Sequence, residues 1–245
     1  MTIKGSDPPK NTSLISLVLP SYNERDNLIP LIHAIHRDLG DRPHEIIIVD
    51  DNSPDGTYKA VLDLELPFVR AILRVKDRGL ANSIRCGLEI AKGGAYIVMD
   101  SDFNHRPEYL PFMVDALQYY DCVTASRFLY GGRMDSRWRH IFSWLFNIFT
   151  RLVTGGYITD NLYGYFAVRK TAMETLSYNR IFWGYGDYFI RLLYYLQKNR
   201  VNILQFPAVN GKRLMGKGNS NMVRIFWQYF REVVKLAFRG RLQNV

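Results

Sequence analysis

An open α/β fold, with a mostly parallel central sheet flanked by helices, is what this chain predicts. Three observations point to it. Short β-branched apolar runs alternate with amphipathic helical stretches, each run stops at a polar turn-forming cluster, and every such cluster falls at the same end of its strand. The length, 245 residues, suits one such domain or one with an appendage.

The elements follow in order. Residues 1–13 are polar, carry Pro8-Pro9, and read as a flexible lead-in without a signal peptide. The first buried strand is expected over 14–19 and ends at Pro20-Ser21-Tyr22-Asn23-Glu24, before an amphipathic helix over about 26–39. A second strand over 45–49 closes at Asp50-Asp51-Asn52-Ser53-Pro54-Asp55-Gly56-Thr57 and feeds a helix near 58–64. A third strand near 69–75 precedes the polar turn 76–83 and a helix ending about residue 91. The central strand begins at Ala95 and stops at Asp100-Ser101-Asp102. Further helices are expected over 138–153, 188–198 and 222–238.

Composition narrows the chemistry. Lys plus Arg number 32 against 23 Asp plus Glu, a net charge of +9, with much of the excess among aromatics in the second half. Nucleic acid, an anionic membrane surface or a phosphorylated ligand would each suit that charge. No zinc-finger spacing, basic zipper or RNA-binding aromatic signature occurs, so nucleic acid ranks last. The two cysteines, Cys86 and Cys122, make no disulfide framework and read as reduced thiols of a cytosolic protein. No run reaches the roughly 18 apolar residues a membrane span needs. A dinucleotide fold and a P-loop are disfavoured, because neither Gly-x-Gly-x-x-Gly nor Gly-x-x-x-x-Gly-Lys follows a strand.

Asp100 and Asp102 sit at a strand end, spaced so that one faces the sheet and the other the crevice beyond it, where open α/β sheets bind ligands. A hard cation such as Mg²⁺ or Mn²⁺ takes one or two carboxylates and completes its shell with phosphate oxygens. The pair therefore suits a metal held against a diphosphate, although two acids at a strand end can also be a solvated turn.

Leu19-Pro20-Ser21-Tyr22-Asn23-Glu24, Val49-Asp50-Asp51 through Thr57, and Met99-Asp100-Ser101-Asp102 through Pro107-Glu108 together resemble the inverting family 2 glycosyltransferases of GT-A fold. Within them the chain is most similar to the dolichol-phosphate mannose synthase and polyprenyl-phosphate glycosyltransferase branch. The resemblance continues through Ala125-Ser126-Arg127, Gly131-Gly132, Arg139 to Ser143 and Asp160 to Gly164, and covers roughly 14–221.

The resemblance implies roles. Pro20, Tyr22 and Glu24 would shape the nucleoside pocket, and Asp51, with Asp50 beside it, would contact base or ribose; a helix-capping turn is the other reading of those two acids. Asp100, Asp102 and Asn104 would hold Mg²⁺ or Mn²⁺, Asn104 standing where the branch commonly has glutamine. His105 reads as a local hydrogen-bonding residue. Arg127, Arg139 and Ser143 would receive the lipid phosphate, with Arg137 an alternative register and a basic helix on anionic lipid a second reading. Asp160 would lie near the reacting sugar. Arg213 and Lys217 would close a glycine-rich lid over the diphosphate. Asp187 would be general base if the acceptor were a sugar hydroxyl, or a helix cap if it were a phosphate.

The aromatic and arginine-rich helices over 138–153 and 222–238 would lie at a membrane interface, or, for the second, pack on the sheet. The expected organisation is a catalytic domain over 14–221, with a nucleotide half over about 14–124 and an acceptor half over about 125–221, then a C-terminal amphipathic helix over 222–245. The expected activity is inverting transfer of a hexose, mannose or glucose, from a nucleoside diphosphate sugar to a polyprenyl phosphate. It would take place peripherally at the cytoplasmic face of a membrane, with a membrane-anchoring subunit as a possible partner. The alternatives are a sugar hydroxyl acceptor and a non-catalytic sugar-nucleotide-binding subunit; retention of both aspartates and Arg213 argues against the latter.

Overall fold

The structure of the protein, a computed structural model, describes residues 13–134, 136–212 and 222–242. The lead-in expected over 1–13 therefore lies, Ser13 apart, outside the described residues. β1 (Ile15–Ser21) is buried at every position, as a central parallel strand covered on both faces must be. It leads into α1 (Arg25–Leu39), whose Leu28, Leu31, Ile32, Ile35 and Leu39 recur at helical spacing and are all buried. β2 (His44–Asp50), α2 (Thr57–Leu62), β3 (Val69–Leu73), α3 (Leu80–Ile90) and β4 (Ala95–Val98) repeat the unit, and these four strands run parallel. β4 ends one residue earlier than the apolar run, although the Met99 N–H still bonds the Val18 carbonyl at 3.4 Å.

Beyond β4 the alternation breaks. A 3₁₀ turn (Pro107–Tyr109) and α4 (Leu110–Ala116) precede β5 (Cys122–Ser126), and α5 (Arg137–Thr154) separates β5 from β6 (Phe166–Arg169). The short α6 (Lys170–Glu174) and α7 (Tyr178–Ile181) lead to α8 (Asp187–Lys198), β7 (Ile203–Pro207) and α9 (Met222–Leu242). Among the described residues the sheet has seven strands in the order β3-β2-β1-β4-β6-β5-β7.

β6 is antiparallel to both β4 and β5, and β7 is parallel to β5. That one reversal positions the site. The carboxyl ends of β1, β2, β4, β5 and β7 and the residues entering β6 all come to the same edge. One sheet thus carries strands from both of the stretches 14–124 and 125–221, and β5, which spans that boundary in sequence, lies between β6 and β7.

The core lies on both faces. Leu17, Ile46 and Ile97 pack with α1 and α4 on one face, while Val18, Ile47 and Phe166 pack with α3 and α8 on the other. A separate cluster of Phe146, Ile190, Tyr194, Val233 and Leu236 joins α5, α8 and α9, so among the described residues α9 packs chiefly on these helices. Both α5 and α9 keep large apolar side chains exposed, among them Trp138, Phe142, Leu152, Trp227 and Phe238. Among the described residues no helix is long and apolar enough to cross a membrane.

Candidate active site

Asp100 and Asp102 lie where β4 runs out. The Asp100 side chain is 45% exposed at this edge, whereas Asp102 is buried. Asn104 holds Asp102 twice, its backbone N–H reaching Oδ1 at 3.0 Å and its amide nitrogen donating to Oδ2 at 2.7 Å. The Asn104 amide thus turns its N–H to the aspartate expected to share a metal with it. Ser101 ties the turn back to β1 by donating to the Pro20 carbonyl at 3.0 Å. Phe103 takes a left-handed φ of 66°, which lets the chain double back within this turn.

His105 is wholly buried beneath the turn. Its Nδ1 accepts the Asp100 N–H at 2.8 Å, and its Nε2 lies 2.9 Å from the Tyr163 carbonyl oxygen. Burial is the largest influence on its pKa and pushes it down to about 4, while Asp102 and the Tyr163 carbonyl pull the other way. The ring is neutral at physiological pH.

Arg127 follows β5 and Asp160 precedes β6, so the antiparallel register brings them together. The Arg127 Nε and Nη2 donate to Asp160 Oδ2 and Oδ1 at 2.8 and 3.0 Å, and its backbone N–H adds a third bond at 3.1 Å. Both side chains are buried, and the guanidinium lies 4.6 Å from the Tyr163 ring centre. Burial opposes charge on Arg127, but Asp160 outweighs it and leaves the guanidinium pKa above its ordinary value. Arg127 is expected to receive the lipid phosphate and Asp160 to stand by the sugar; in the structure the Nε and Nη2 of Arg127 are taken up by the Asp160 carboxylate, which also accepts the Leu162 N–H. Gly132 closes against this loop, and a Cβ there would come within 2.8 Å of the Ser126 and Arg127 backbone.

The nucleoside end is built from β1 and β2. Pro20 and Asp51 are buried, while Tyr22 is 49% exposed with the Arg78 guanidinium 4.8 Å from its ring centre. Asp51 Oδ1 accepts from Arg74 and Ser83, each at 2.8 Å, and its Oδ2 from the Gly79 N–H at 2.6 Å. Arg74, Gly79 and Ser83 are the supporting residues that sequence reading did not assign. Asp50 corrects its expectation as a nucleotide contact: it is fully buried and binds the Ser53 N–H and hydroxyl at 2.8 and 2.5 Å, which makes it a turn-closing residue. Glu24 accepts from the Asn27 amide at 2.7 Å.

Arg139 and Ser143 occupy the first turns of α5, Arg139 exposed and Ser143 half-buried. The helix start is docked beside Arg127 through Phe128, whose ring lies 4.9 Å from that of His140. Arg213 and Lys217, expected in a lid over the diphosphate, lie outside the described residues.

Asp187 is the plainest correction. It is the first residue of α8, fully buried, and it serves neither as an accessible base nor as the helix cap, which is Gly186. Its Oδ2 accepts from Arg191 at 2.6 Å, and its Oδ1 from the Tyr185 N–H at 2.9 Å and from Gln228 at 2.8 Å. Arg191, also fully buried, donates further to the carbonyls of Ile181 and Trp183. The pair binds the 181–187 turn to α8 and α9, a structural task.

The donor set at the β4 end fits a hard cation. It offers carboxylate oxygens, one of them facing outward, and among the described residues no group of three or more His, Cys, Asp or Glu forms an all-protein cage. A Mg²⁺ or Mn²⁺ that keeps positions open for phosphate oxygens needs only that.

Comparison with known proteins agrees with this layout. A sequence model of glycosyl transferase family 2 matches residues 16–177. The chain is 30% identical over 247 residues to a dolichol-phosphate mannosyltransferase of Pyrococcus furiosus, covering 94% of this chain but 66% of that one. It is 28% identical over 251 residues to a polyprenol monophosphomannose synthase of Mycolicibacterium smegmatis, covering 98% and 94% of the two chains. Among solved structures, glucosyl-3-phosphoglycerate synthase from Mycobacterium tuberculosis, in complex with Mn²⁺, uridine diphosphate and glucosyl-3-phosphoglycerate, aligns with a TM-score of 0.70 at 21% identity. That alignment covers 92% of this chain and 80% of the other, and it shows the GT-A fold. With the family matched across most of the sheet and the acidic turns at its edge, the chain belongs to glycosyl transferase family 2.

Proposed function

We propose that this glycosyltransferase moves a hexose, with inversion, from a nucleoside diphosphate sugar to a polyprenyl phosphate. The observation that carries the reading is the meeting, around Tyr163 at one sheet edge, of the Asp100–Asp102 turn with the Arg127–Asp160 pair, beside a helix with an exposed aromatic face. The relatives named as dolichol- and polyprenol-phosphate mannose enzymes support the lipid acceptor and favour mannose.

Each residue would then have a task. Tyr22 would offer an apolar face to the base, and Asp51, held in place by Arg74, Ser83 and Gly79, would accept from base or ribose. Asp100 and Asp102 would hold Mg²⁺ or Mn²⁺, which would supply charge neutralisation on the leaving diphosphate. Arg127 and Asp160 would fix the floor of the acceptor side and set its field, leaving Arg139 and Ser143 to meet the lipid phosphate. The phosphate is already anionic at neutral pH and attacks without a base, which accords with an Asp187 buried in an ion pair.

The exposed Trp138, Phe142, Trp144 and Leu145, interleaved with Arg137 and Arg139, would seat α5 in the interface of an anionic membrane on its cytoplasmic face. The test is to incubate the protein with labelled sugar nucleotides and either polyprenyl phosphate or free sugars, then extract with organic solvent. Label entering the organic phase only with polyprenyl phosphate is expected; transfer to free sugars with none to lipid would overturn the reading.

A further inference from the structure

We infer that His105 is a positioning residue that yokes Asp100, at the donor side of the cleft, to the loop that carries Asp160 and Tyr163. The inference rests on the reading of Asp100 as a holder of the divalent cation and deepens it, by naming what sets the position of that aspartate.

The geometry is that of a spacer between two strands. The β4–β6 ladder ends at the pair Val98 and Phe166. Successive N–H groups along a strand alternate between its neighbours. The Met99 N–H accordingly turns to β1 and the Val18 carbonyl, and the next one facing β6 belongs to Asp100. That N–H lies beyond the end of the ladder and goes to a side chain, His105 Nδ1.

The imidazole makes the link. Its Nδ1 takes the Asp100 N–H and its Nε2 reaches the Tyr163 carbonyl. A carbonyl only accepts, so Nε2 carries the proton, and the neutral ring is held in one tautomer by two backbone partners.

The ring has little freedom to move. It stacks on Tyr165 with centroids 4.7 Å apart and planes 6° from parallel, and it meets the Tyr163 ring edge-on at 4.7 Å. Two more bonds lace the same segments, Tyr163 Oη to the Asn104 carbonyl at 3.1 Å and Tyr165 Oη to the Arg106 carbonyl at 3.0 Å. Because the Tyr163 ring lies under the Arg127 guanidinium, the spacing fixed by His105 is also the spacing between the acidic turn and the Arg127–Asp160 pair. Partners that orient a ligand commonly matter roughly 10- to 100-fold in metal affinity or activity.

Two substitutions divide the bridge. His105→Asn can place an amide oxygen near the Nδ1 position and keep the Asp100 bond while losing Tyr163. His105→Gln can reach the Nε2 position, 3.6 Å from Asp100 Oδ2, and keep Tyr163 while losing the bond to the Asp100 N–H. We would titrate wild type and both variants with Mn²⁺ alone, following free Mn²⁺ by electron paramagnetic resonance, and separately record kcat and KM for transfer.

H105Q is expected to weaken Mn²⁺ binding roughly 10- to 100-fold. H105N is expected to bind Mn²⁺ as wild type does but to lose kcat at saturating donor. Equal Mn²⁺ binding by all three proteins, or equal loss in both variants, overturns the inference. Should wild type itself bind no Mn²⁺, the metal reading fails and takes this one with it.

The ¹⁵N imidazole spectrum of the unsubstituted protein gives a readout free of any variant's folding. A single neutral tautomer protonated on Nε2 at neutral pH is expected, and a proton on Nδ1 or a mixture contradicts the bridge.

Discussion

Arg127 meets Asp160 as a two-bond fork, Nε to Oδ2 at 2.8 Å and Nη2 to Oδ1 at 3.0 Å, with neither side chain open to water. The carboxylate also accepts the Arg127 and Leu162 N–H groups, so the fork fastens two loops that are 33 residues apart. Removing one partner strands a buried charge, a loss of about 3–5 kcal/mol. Asp160→Asn should therefore lower stability by about that much and abolish transfer, as chemical denaturation and the transfer assay would report. The double change Arg127→Met with Asp160→Leu should regain much of the stability and none of the activity. Recovery of activity in the double variant would show that the fork has no part in the reaction.

Asp187→Asn separates a structural residue from a base. The Asp187–Arg191 pair is buried, so the substitution should destabilise the fold while the folded fraction keeps its kcat within a small factor. General bases contribute roughly 10²- to 10⁴-fold, and a kcat loss of that order with an unchanged melting temperature would restore Asp187 to the chemistry.

Gly211 fastens the segment after β7 to the acidic turn. Its N–H bonds the Asn104 carbonyl at 2.9 Å, and a methyl group there would run into the Phe103 carbonyl oxygen. Gly211→Ala should cost about 1–3 kcal/mol by overpacking and raise the KM for the sugar nucleotide more than it lowers kcat. An unchanged KM would mean that this anchor does not serve the donor.

The buried His105 makes stability depend on pH. Its folded pKa of about 4 lies below the ordinary 6.5, with burial the main cause. Between those values the unfolded chain binds a proton that the folded chain does not. The contribution is thus fully present above about pH 6.5 and drains away as pH falls towards 4. Urea unfolding at a series of pH values should show a steeper fall for wild type than for His105→Asn; parallel curves would contradict the assignment.

Much of the first half could be read from the sequence, because fully buried parallel strands such as Glu45-Ile46-Ile47-Ile48-Val49 announce themselves as apolar runs closed by turns. β5, β6 and β7 are four or five residues long and give no such signal, and the antiparallel register of β6 is a tertiary fact. The site divides the same way. Asp50 and Asp51 are neighbours whose side chains serve different structures, and only the ladder shows that Asp50 turns to Ser53 while Asp51 turns to Arg74. Arg127 and Asp160 carry no spacing that would pair them. Asp187 and Arg191 do: an acid and a base four apart on a helix are spaced for an ion pair.

In the proposed reaction the Asp100–Asp102 turn would hold a divalent cation against the donor diphosphate while a lipid phosphate attacks. The most direct measurement is the rate of sugar transfer to polyprenyl phosphate by wild type and Asp102→Ala, in excess EDTA and after Mn²⁺ or Mg²⁺ is restored. Wild type should fall silent in EDTA and recover with the metal, and the folded Asp102→Ala protein should stay silent in both. Full transfer in EDTA, or by Asp102→Ala, would rule out a metal held by that turn.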